Sequence, residues 1–184
     1  MKMILASASP RRQQLLGMIT PDFEVITSQV DERAITADTP ALLAQKLARA
    51  KCLAVAQSHP GRVVLGCDTV VEKDGQVLGK PADAADAVRM LQMLAGAEHQ
   101  VHTGVCIAKD GEVDNFVVTS TVEFYPLAEA EIQAYVATGE PFDKAGGYGI
   151  QGGAALFCRG IRGCYYNIMG LPVSRVARAL RKFL

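Results

Sequence analysis

The chain has 184 residues and carries 19 Lys and Arg against 19 Asp and Glu, so its formal net charge is zero. A chain of this length suits one domain with a sizeable buried core, and we treat residues 1–184 as a single domain. Zero net charge argues against a protein that neutralises a long polyanion, and the 6% aromatic content offers few platforms for base stacking. We therefore predict no nucleic-acid partner, whereas a small phosphorylated ligand is compatible with the composition.

The cysteines and the hydropathy pattern bear on the compartment. Five cysteines form an odd set without a Cys-x-x-Cys pair, and most lie in apolar, strand-like runs. This pattern is typical of reduced, buried thiols. The amino terminus has no apolar segment of signal-peptide length, and no run of about 18 apolar residues occurs. We therefore expect a cytoplasmic protein that is neither exported nor inserted into a membrane.

Apolar periodicity predicts alternating strands and helices in the first part of the chain. In chain order they are a strand at 3–6, a helix at about 10–18, a strand at 23–27, a helix at 40–57 and a strand at 62–71.

Two turn signals, 73–76 and 110–111, then predict β-hairpins. The other predicted elements are a return strand at 77–78, a helix opened by Gly79-Lys80-Pro81, strands at 100–108 and 113–125, a helix at 129–137 and a helix that starts at Pro172. Parallel strand–helix units joined to antiparallel hairpins predict an α/β fold with a mixed β-sheet flanked by helices.

The octet at 5–12, Leu-Ala-Ser-Ala-Ser-Pro-Arg-Arg, joins the first strand to the first helix. Ser9 suits the N-cap, which places Arg11 and Arg12 in the first helical turn. The helix dipole is positive there, so two cations are unfavourable unless an anion binds nearby. Free N–H groups, the Ser7 and Ser9 hydroxyls and the two guanidinium groups together describe a phosphate cradle.

Acidic residues occur where a fold alone does not require them. Asp68 lies inside an apolar strand, so it is a candidate base or metal ligand; the alternative is a structural pair with Lys80 or a turn cap. Asp31 and Glu32 form either an ordinary acidic loop that pairs with the two arginines or, with Asp68, an oxygen site for a Mg²⁺-type ion. Lys51 and Lys80 are ordinary solvated lysines unless the fold brings them close to the two arginines, in which case they join the phosphate site.

Residues 139–152 are rich in glycine, which lets backbone approach a ligand closely. The segment lacks the Walker spacing and the strand-to-helix context of a dinucleotide fingerprint. Gln151 offers both a donor and an acceptor to a base edge. Asp143 and Lys144 form either a local ion pair or part of the site.

Six motifs carry a specific resemblance: Ser-x-Ser-Pro-Arg-Arg, the Asp-Glu pair, Gly-Cys-Asp-Thr-Val-Val, Gly-Lys-Pro, Gly-Glu-Pro-x-Asp-Lys-Ala-Gly-x-Tyr-Gly-Ile-Gln-Gly and Gly-Leu-Pro. In combination they resemble the Maf family of nucleoside triphosphate pyrophosphatases over nearly the whole chain. The resemblance implies a Maf/ITPase-like fold with two lobes around a deep cleft. It also implies cytoplasmic hydrolysis of a nucleoside triphosphate to the monophosphate and pyrophosphate with a divalent cation, Mg²⁺ or Mn²⁺. Asp-Thr in the strand and Tyr-Gly-Ile-Gln-Gly in the late loop resemble the dTTP/UTP subfamily.

The same resemblance implies roles for individual residues. Asp68 matches the proton acceptor, and the positions tied to substrate choice are Arg11, Thr69 and Gln151. The residues that match the phosphate and metal site are Ser7, Arg12, Glu32, Lys51 and Lys80. The resulting hypothesis assigns catalysis to Asp68, Lys51 and Lys80, substrate binding to Ser7, Ser9, Arg11, Arg12, Thr69 and Gln151, and metal binding to Glu32 and Asp68.

The predicted function is hydrolysis of dTTP and UTP, with a role in clearing modified pyrimidine nucleotides. The predicted partner is the nucleoside triphosphate substrate, and the resemblance also implies a homodimer. The alternative function is a nucleotide-binding regulator of cell division and septum formation, because the family has been associated with that process. Such a regulator uses the same cleft without significant turnover.

Overall fold

We describe residues 2–183 in a computed structural model of the chain. The strands are β1 (Met3–Leu5), β2 (Phe23–Val25), β3 (Val64–Lys73), β4 (Gln76–Leu78), β5 (Glu98–Lys109), β6 (Glu112–Phe124) and β7 (Cys158–Arg162). The helices are α1 (Pro10–Gly17), α2 (Pro40–Ala56), α3 (Ala84–Leu94), α4 (Glu129–Ala137), α5 (Tyr165–Met169) and α6 (Val173–Leu180).

All strands join one mixed sheet in the order β2-β1-β3-β5-β6-β7, with β4 also paired to β3. The first three run parallel, whereas the pairs from β3 through β5 and β6 to β7 are antiparallel. One apolar layer packs α1, α3, α4 and α6 against one face, and α2 covers the other. The predicted α/β class with a mixed sheet between helices is confirmed. Within residues 2–183, none of the helices is long and apolar enough to span a membrane.

An opening in the sheet determines where a ligand can enter. β1 pairs with β3 only at Val64 and Leu65, and β4 pairs with β3 only from Val71 onward. In the described part of the chain, the stretch 66–70 therefore has no strand neighbour on that edge. Asp68 and Thr69 lie in this opening, and their side chains project to opposite faces because they are adjacent in a strand.

Helix α2 packs very closely on the sheet, and two glycines allow it. A Cβ atom on Gly66 would lie 2.6 Å from a carbonyl oxygen of α2, and one on Gly104 would overlap the backbone of Ala44. Neither position tolerates a side chain without a shift of the helix. The close approach brings Lys51 of α2 against Asp68 of β3.

Side-chain caps determine where the helices begin. Ser9 caps α1 and Thr39 caps α2, and a proline occupies the first helical turn of each, as predicted. The predicted start of α3 at Gly79-Lys80-Pro81 is wrong. The helix begins at Ala84 because the Asp83 carboxylate accepts the Asp86 N–H at 2.8 Å.

Two elements were not predicted. β7 is an edge strand of five residues that contains a glycine and two arginines and joins β6 next to a bulge. α5 is a single short helix that ends at Gly170 in the left-handed region. Neither has the length or the apolar alternation that identifies an element from sequence, so both depend on the strands they contact.

Candidate active site

A cleft of about 1020 Å³ opens beside the unpaired edge of β3. Every predicted site residue except Ser7 lines it. These lining residues are Ser9, Arg11, Arg12, Glu32, Lys51, Asp68, Thr69, Lys80 and Gln151. The cleft therefore brings together the amino-terminal motif, the acid of β3 and the glycine-rich loop.

Two carboxylates meet at one lysine inside the cleft. Lys51 Nζ lies 2.5 Å from Asp68 Oδ1 and 2.9 Å from Glu32 Oε1. The side chains of Lys51 and Asp68 are each 13% exposed, so the ammonium neutralises a carboxylate that the strand largely buries. Asp68 thus pairs with Lys51 and not with Lys80, which was the structural alternative.

The donor set decides which kind of metal ion fits here. Within residues 2–183, no group of three or more His, Cys, Asp or Glu side chains converges to hold an ion. Glu32 and Asp68 do converge, since both contact the same ammonium group. Mg²⁺ typically binds through one or two carboxylates, several waters and the phosphates of a ligand. The residues therefore fit a divalent ion that is shared with a bound phosphate ligand.

Arg12 is held by three neutral oxygen atoms. Its Nε donates to the Gly170 carbonyl at 3.0 Å, Nη1 to Ser7 Oγ at 3.2 Å and Nη2 to Thr69 Oγ1 at 3.1 Å. No carboxylate of the described residues pairs with it, so its predicted alternative partners in the pair 31–32 are wrong. Of its five N–H donors, the other two stay available to a ligand.

Ser7 does not line the cleft, although the sequence suggested a place in the phosphate cradle. Its side chain is buried and its hydroxyl accepts from the Ser9 N–H and from Arg12. Ser7 therefore lies behind the guanidinium and helps to orient it. Ser9 caps α1 as predicted and remains in the lining of the cleft.

Arg11 connects the start of α1 to the late loop. Its Nη1 lies 3.5 Å from Asp143 Oδ2, and this carboxylate is 69% exposed. The pKa of Asp143 is lowered, first by the hydrogen bond from Lys144 and then by the charges of Lys144 and Arg11. Asp143 and Lys144 thus form a local ion pair that also lies in the lining of the cleft.

The loop at 139–153 is organised by the Glu140 carboxylate. Oε1 accepts the Tyr135 hydroxyl at 2.9 Å, and Oε2 accepts the Gly153 N–H at 3.0 Å. The Tyr135 oxygen in turn accepts the Gly149 N–H at 3.1 Å. A Cβ atom on Gly152 would overlap the carboxylate, so a side chain there would push Glu140 out of these contacts. These contacts present Gln151 to the cleft.

A second buried contact holds the same loop to the sheet. His99 Nε2 lies 2.6 Å from the Tyr148 hydroxyl, and the two rings meet edge to face at 5.3 Å. Burial lowers the pKa of His99 to about 4, and the charge of Lys73 adds to the effect. His99 is therefore neutral at pH 7 and acts as a packing and hydrogen-bonding group.

Lys80 is exposed at the cleft, in the turn between β4 and α3. The Gly146 N–H donates to the Gly79 carbonyl at 3.0 Å, which joins this turn to the late loop. No role was predicted from the sequence for Glu140, Tyr135 or His99. A His or Tyr within an apolar segment indicates a buried polar group that needs a hydrogen-bond partner. The sequence does not identify that partner, because it can lie far away in the chain.

Comparison with known proteins identifies the family. The family described as Maf-like protein matches residues 2–183. A dTTP/UTP pyrophosphatase of Bacillus cytotoxicus is 47% identical over 182 residues, which are 99% of this chain and 95% of that protein. A dTTP/UTP pyrophosphatase of Symbiobacterium thermophilum is 50% identical over 182 residues, 99% of this chain and 94% of that protein.

Among solved structures, that of the Staphylococcus aureus Ham1 protein is similar with a TM-score of 0.49 and 20% identity, over 67% of this chain and 72% of that chain. The family match extends over the whole described chain, and the relatives align with nearly all of it. The protein belongs to the Maf family.

Proposed function

We propose that the protein is a nucleoside triphosphate pyrophosphatase that hydrolyses the α–β phosphoanhydride bond of dTTP and UTP. The observation that supports it most is the convergence of Asp68, Lys51 and Arg12 on one cleft. The relatives named dTTP/UTP pyrophosphatase favour this activity over a regulator without turnover. The products are the nucleoside monophosphate and pyrophosphate.

The triphosphate binds where positive charge lies without a carboxylate partner. The first turn of α1 offers the positive end of the helix dipole, and Arg12 offers two free N–H groups. Lys80 adds an exposed ammonium from the neighbouring turn. Charge-assisted hydrogen bonds from these groups hold the phosphates and neutralise pyrophosphate as it leaves.

Glu32 and Asp68 would hold a divalent ion, Mg²⁺ or Mn²⁺, together with the phosphates. When bound, such an ion polarises a phosphoryl oxygen and neutralises the charge that develops on the leaving group. Lys51 lies between the same two carboxylates and neutralises one of their two negative charges in the free protein.

Asp68 acts as the general base. Its Oδ1 is oriented by Lys51, which leaves Oδ2 to accept the proton of the attacking water. Water then attacks the α-phosphorus and pyrophosphate leaves, so no covalent bond forms between substrate and protein. Catalysis is therefore positioning plus electrostatic stabilisation.

Base choice is assigned to Gln151 of the late loop, to Arg11 and to Thr69, all of which line the cleft. The Gln151 amide has both a donor and an acceptor for the edge of uracil or thymine. We expect Gln151→Ala to hydrolyse UTP and purine triphosphates at more similar rates than the wild type. A variant that still discriminates pyrimidines from purines as the wild type does would contradict this role.

The test of the function is pyrophosphate release from a panel of nucleoside triphosphates, with and without Mg²⁺. We expect metal-dependent release that is fastest with dTTP and UTP, and 5-substituted UTP analogues test the clearing of modified pyrimidines. Nucleotide binding without pyrophosphate release from any member of the panel would favour the regulator of cell division instead.

Two further parts of the proposal concern the setting of the enzyme. A cytoplasmic location is supported by its five cysteines, all free thiols. A homodimer is compatible with two exposed apolar side chains, Leu156 in the turn before β7 and Ile161 on β7. Light scattering on the purified protein tests the dimer, and a monomer mass at micromolar concentration would contradict it.

A further inference from the structure

A chain of hydroxyl groups leads from the cleft into the core. Arg12 Nη2 donates to Thr69 Oγ1 at 3.1 Å, and Thr69 Oγ1 lies 2.9 Å from Thr103 Oγ1. Thr103 Oγ1 donates to the main-chain carbonyl of Asn167 at 2.9 Å. Thr103 is completely buried on β5, so no ligand reaches it, whereas Thr69 lines the cleft.

The direction of each hydrogen bond follows from counting protons. A hydroxyl has one proton, and the Asn167 carbonyl can only accept, so the Thr103 proton is committed to it. Between the two threonines, Thr69 must therefore be the donor. The Arg12 guanidinium can only donate, so it occupies one lone pair of Thr69. Towards the cleft, Thr69 retains only an acceptor.

An obligate acceptor selects among the groups of a nucleotide. Phosphate oxygens only accept, so they do not bond to Thr69. Uracil and thymine carry an imide N3–H donor, whereas N3 of cytosine is an acceptor. Gly170 lies beside this hydroxyl, since a Cβ atom there would lie 3.4 Å from Thr69 Oγ1, and Thr69 lines the cleft.

We propose that Thr103 is a positioning residue for base specificity: it fixes the Thr69 hydroxyl as an acceptor for the imide N–H of uracil and thymine, and it disfavours cytosine because cytosine N3 has no proton to donate. The proposal rests on the proposed function and adds to it a residue that does not touch the substrate. Without the Thr103 hydroxyl, Thr69 can rotate its proton towards the cleft and donate to N3 of cytosine.

The test compares Thr103→Val with the matched control Thr103→Ser, which keeps the hydroxyl. The readout is the ratio of kcat/KM for UTP to kcat/KM for CTP, because a ratio cancels any loss of folded protein. We expect Val to lower the ratio about tenfold or more and Ser to keep it within about threefold. If Val prevents folding, Thr103→Cys substitutes a weak donor for the hydroxyl and serves the same purpose.

Calorimetric binding of UMP and CMP measures the same preference without turnover, so it separates this proposal from the proposed function. The wild type could release no pyrophosphate and still prefer UMP over CMP, with the preference lost in Thr103→Val. This combination would contradict the proposed function and support the role of the hydroxyl chain. An unchanged preference in Thr103→Val would overturn the hydroxyl chain. Thr103→Val could instead leave the preference for UMP over CMP intact and abolish only the discrimination against 3′-deoxy-UTP. That result would place the sugar hydroxyl at Thr69 and would also overturn the proposal.

Discussion

The amino-terminal side of the cleft and the late loop that borders it differ in what holds them. Ser9, Arg12 and Lys51 stand on helices whose starts are fixed by caps and whose packing is fixed by the sheet. The loop at 139–153 contains only short 3-10 turns, and side-chain contacts of Glu140 hold it.

This difference has a mechanical consequence. Groups that handle phosphate and water are needed in one geometry for every substrate, and they are attached to regular elements with many backbone hydrogen bonds. The group assigned to base choice, Gln151, is attached to a loop that depends on a few polar contacts. Substitutions on the amino-terminal side of the cleft should therefore lower turnover, and substitutions in the loop at 139–153 should lower both stability and substrate positioning.

Asp68→Asn should give the largest effect, a loss of turnover of about 10³-fold, because the amide cannot accept the proton of water. Lys51 keeps its contact with Glu32, so the fold should remain intact. Pyrophosphate release measures the first effect and far-ultraviolet circular dichroism the second. Asp114→Asn, which breaks an ion pair with Lys182 outside the cleft lining, is the matched control and should retain turnover.

Acid should weaken the loop side through His99. Its pKa is about 4 in the folded protein, below the ordinary 6.5, so the unfolded chain binds more protons between these values. The free energy of unfolding should therefore fall as pH drops from 6.5 to 4, with a His99 share of about 3 kcal/mol.

Urea unfolding at several pH values measures this share as the difference between the wild type and His99→Gln. His59→Gln, which changes a histidine outside the loop contact, is the matched control for the loss of an imidazole. Equal slopes for the wild type and His99→Gln would show that the buried imidazole does not carry the effect.

Gly152→Ala should disturb the loop without touching the other side of the cleft. The new methyl group overlaps the Glu140 carboxylate, so the contacts to Tyr135 and Gly153 are strained or lost. We expect a loss of about 2 kcal/mol in unfolding free energy and about tenfold in kcat/KM. Gly160→Ala has open space around it and should change neither quantity.

Asp143→Asn should have the smallest effect on stability, although its carboxylate joins the two sides of the cleft. The variant loses the ion pair with Arg11 at 3.5 Å and the one with Lys144 at 2.7 Å, but the carboxylate is 69% exposed, so we expect a change below about 0.5 kcal/mol. Urea unfolding of the variant and of the wild type in the same buffer checks it. A loss above about 1 kcal/mol would mean that this contact holds the loop as strongly as Glu140 does.

Elements with local signals could be predicted from the amino-acid sequence. Caps at Ser9 and Thr39 and the turn pairs at 74–75 and 110–111 acted over a few residues, and apolar periodicity predicted the long strands of the mixed sheet. The start of α3 was misplaced because a nearby competing cap, Asp83, determined it. Residue chemistry also indicated which groups could bind phosphate.

The partner that each polar group takes depends on tertiary packing and could not be predicted from the sequence. Asp68 meets Lys51 across 17 positions because two glycines let α2 approach the sheet, and Ser7 turns towards Arg12 and away from the cleft. His99 meets Tyr148 across 49 positions. Local sequence signals do not determine hydrogen bonds between residues this far apart in the chain. Packing and burial determine which of several equivalent donors and acceptors come into contact.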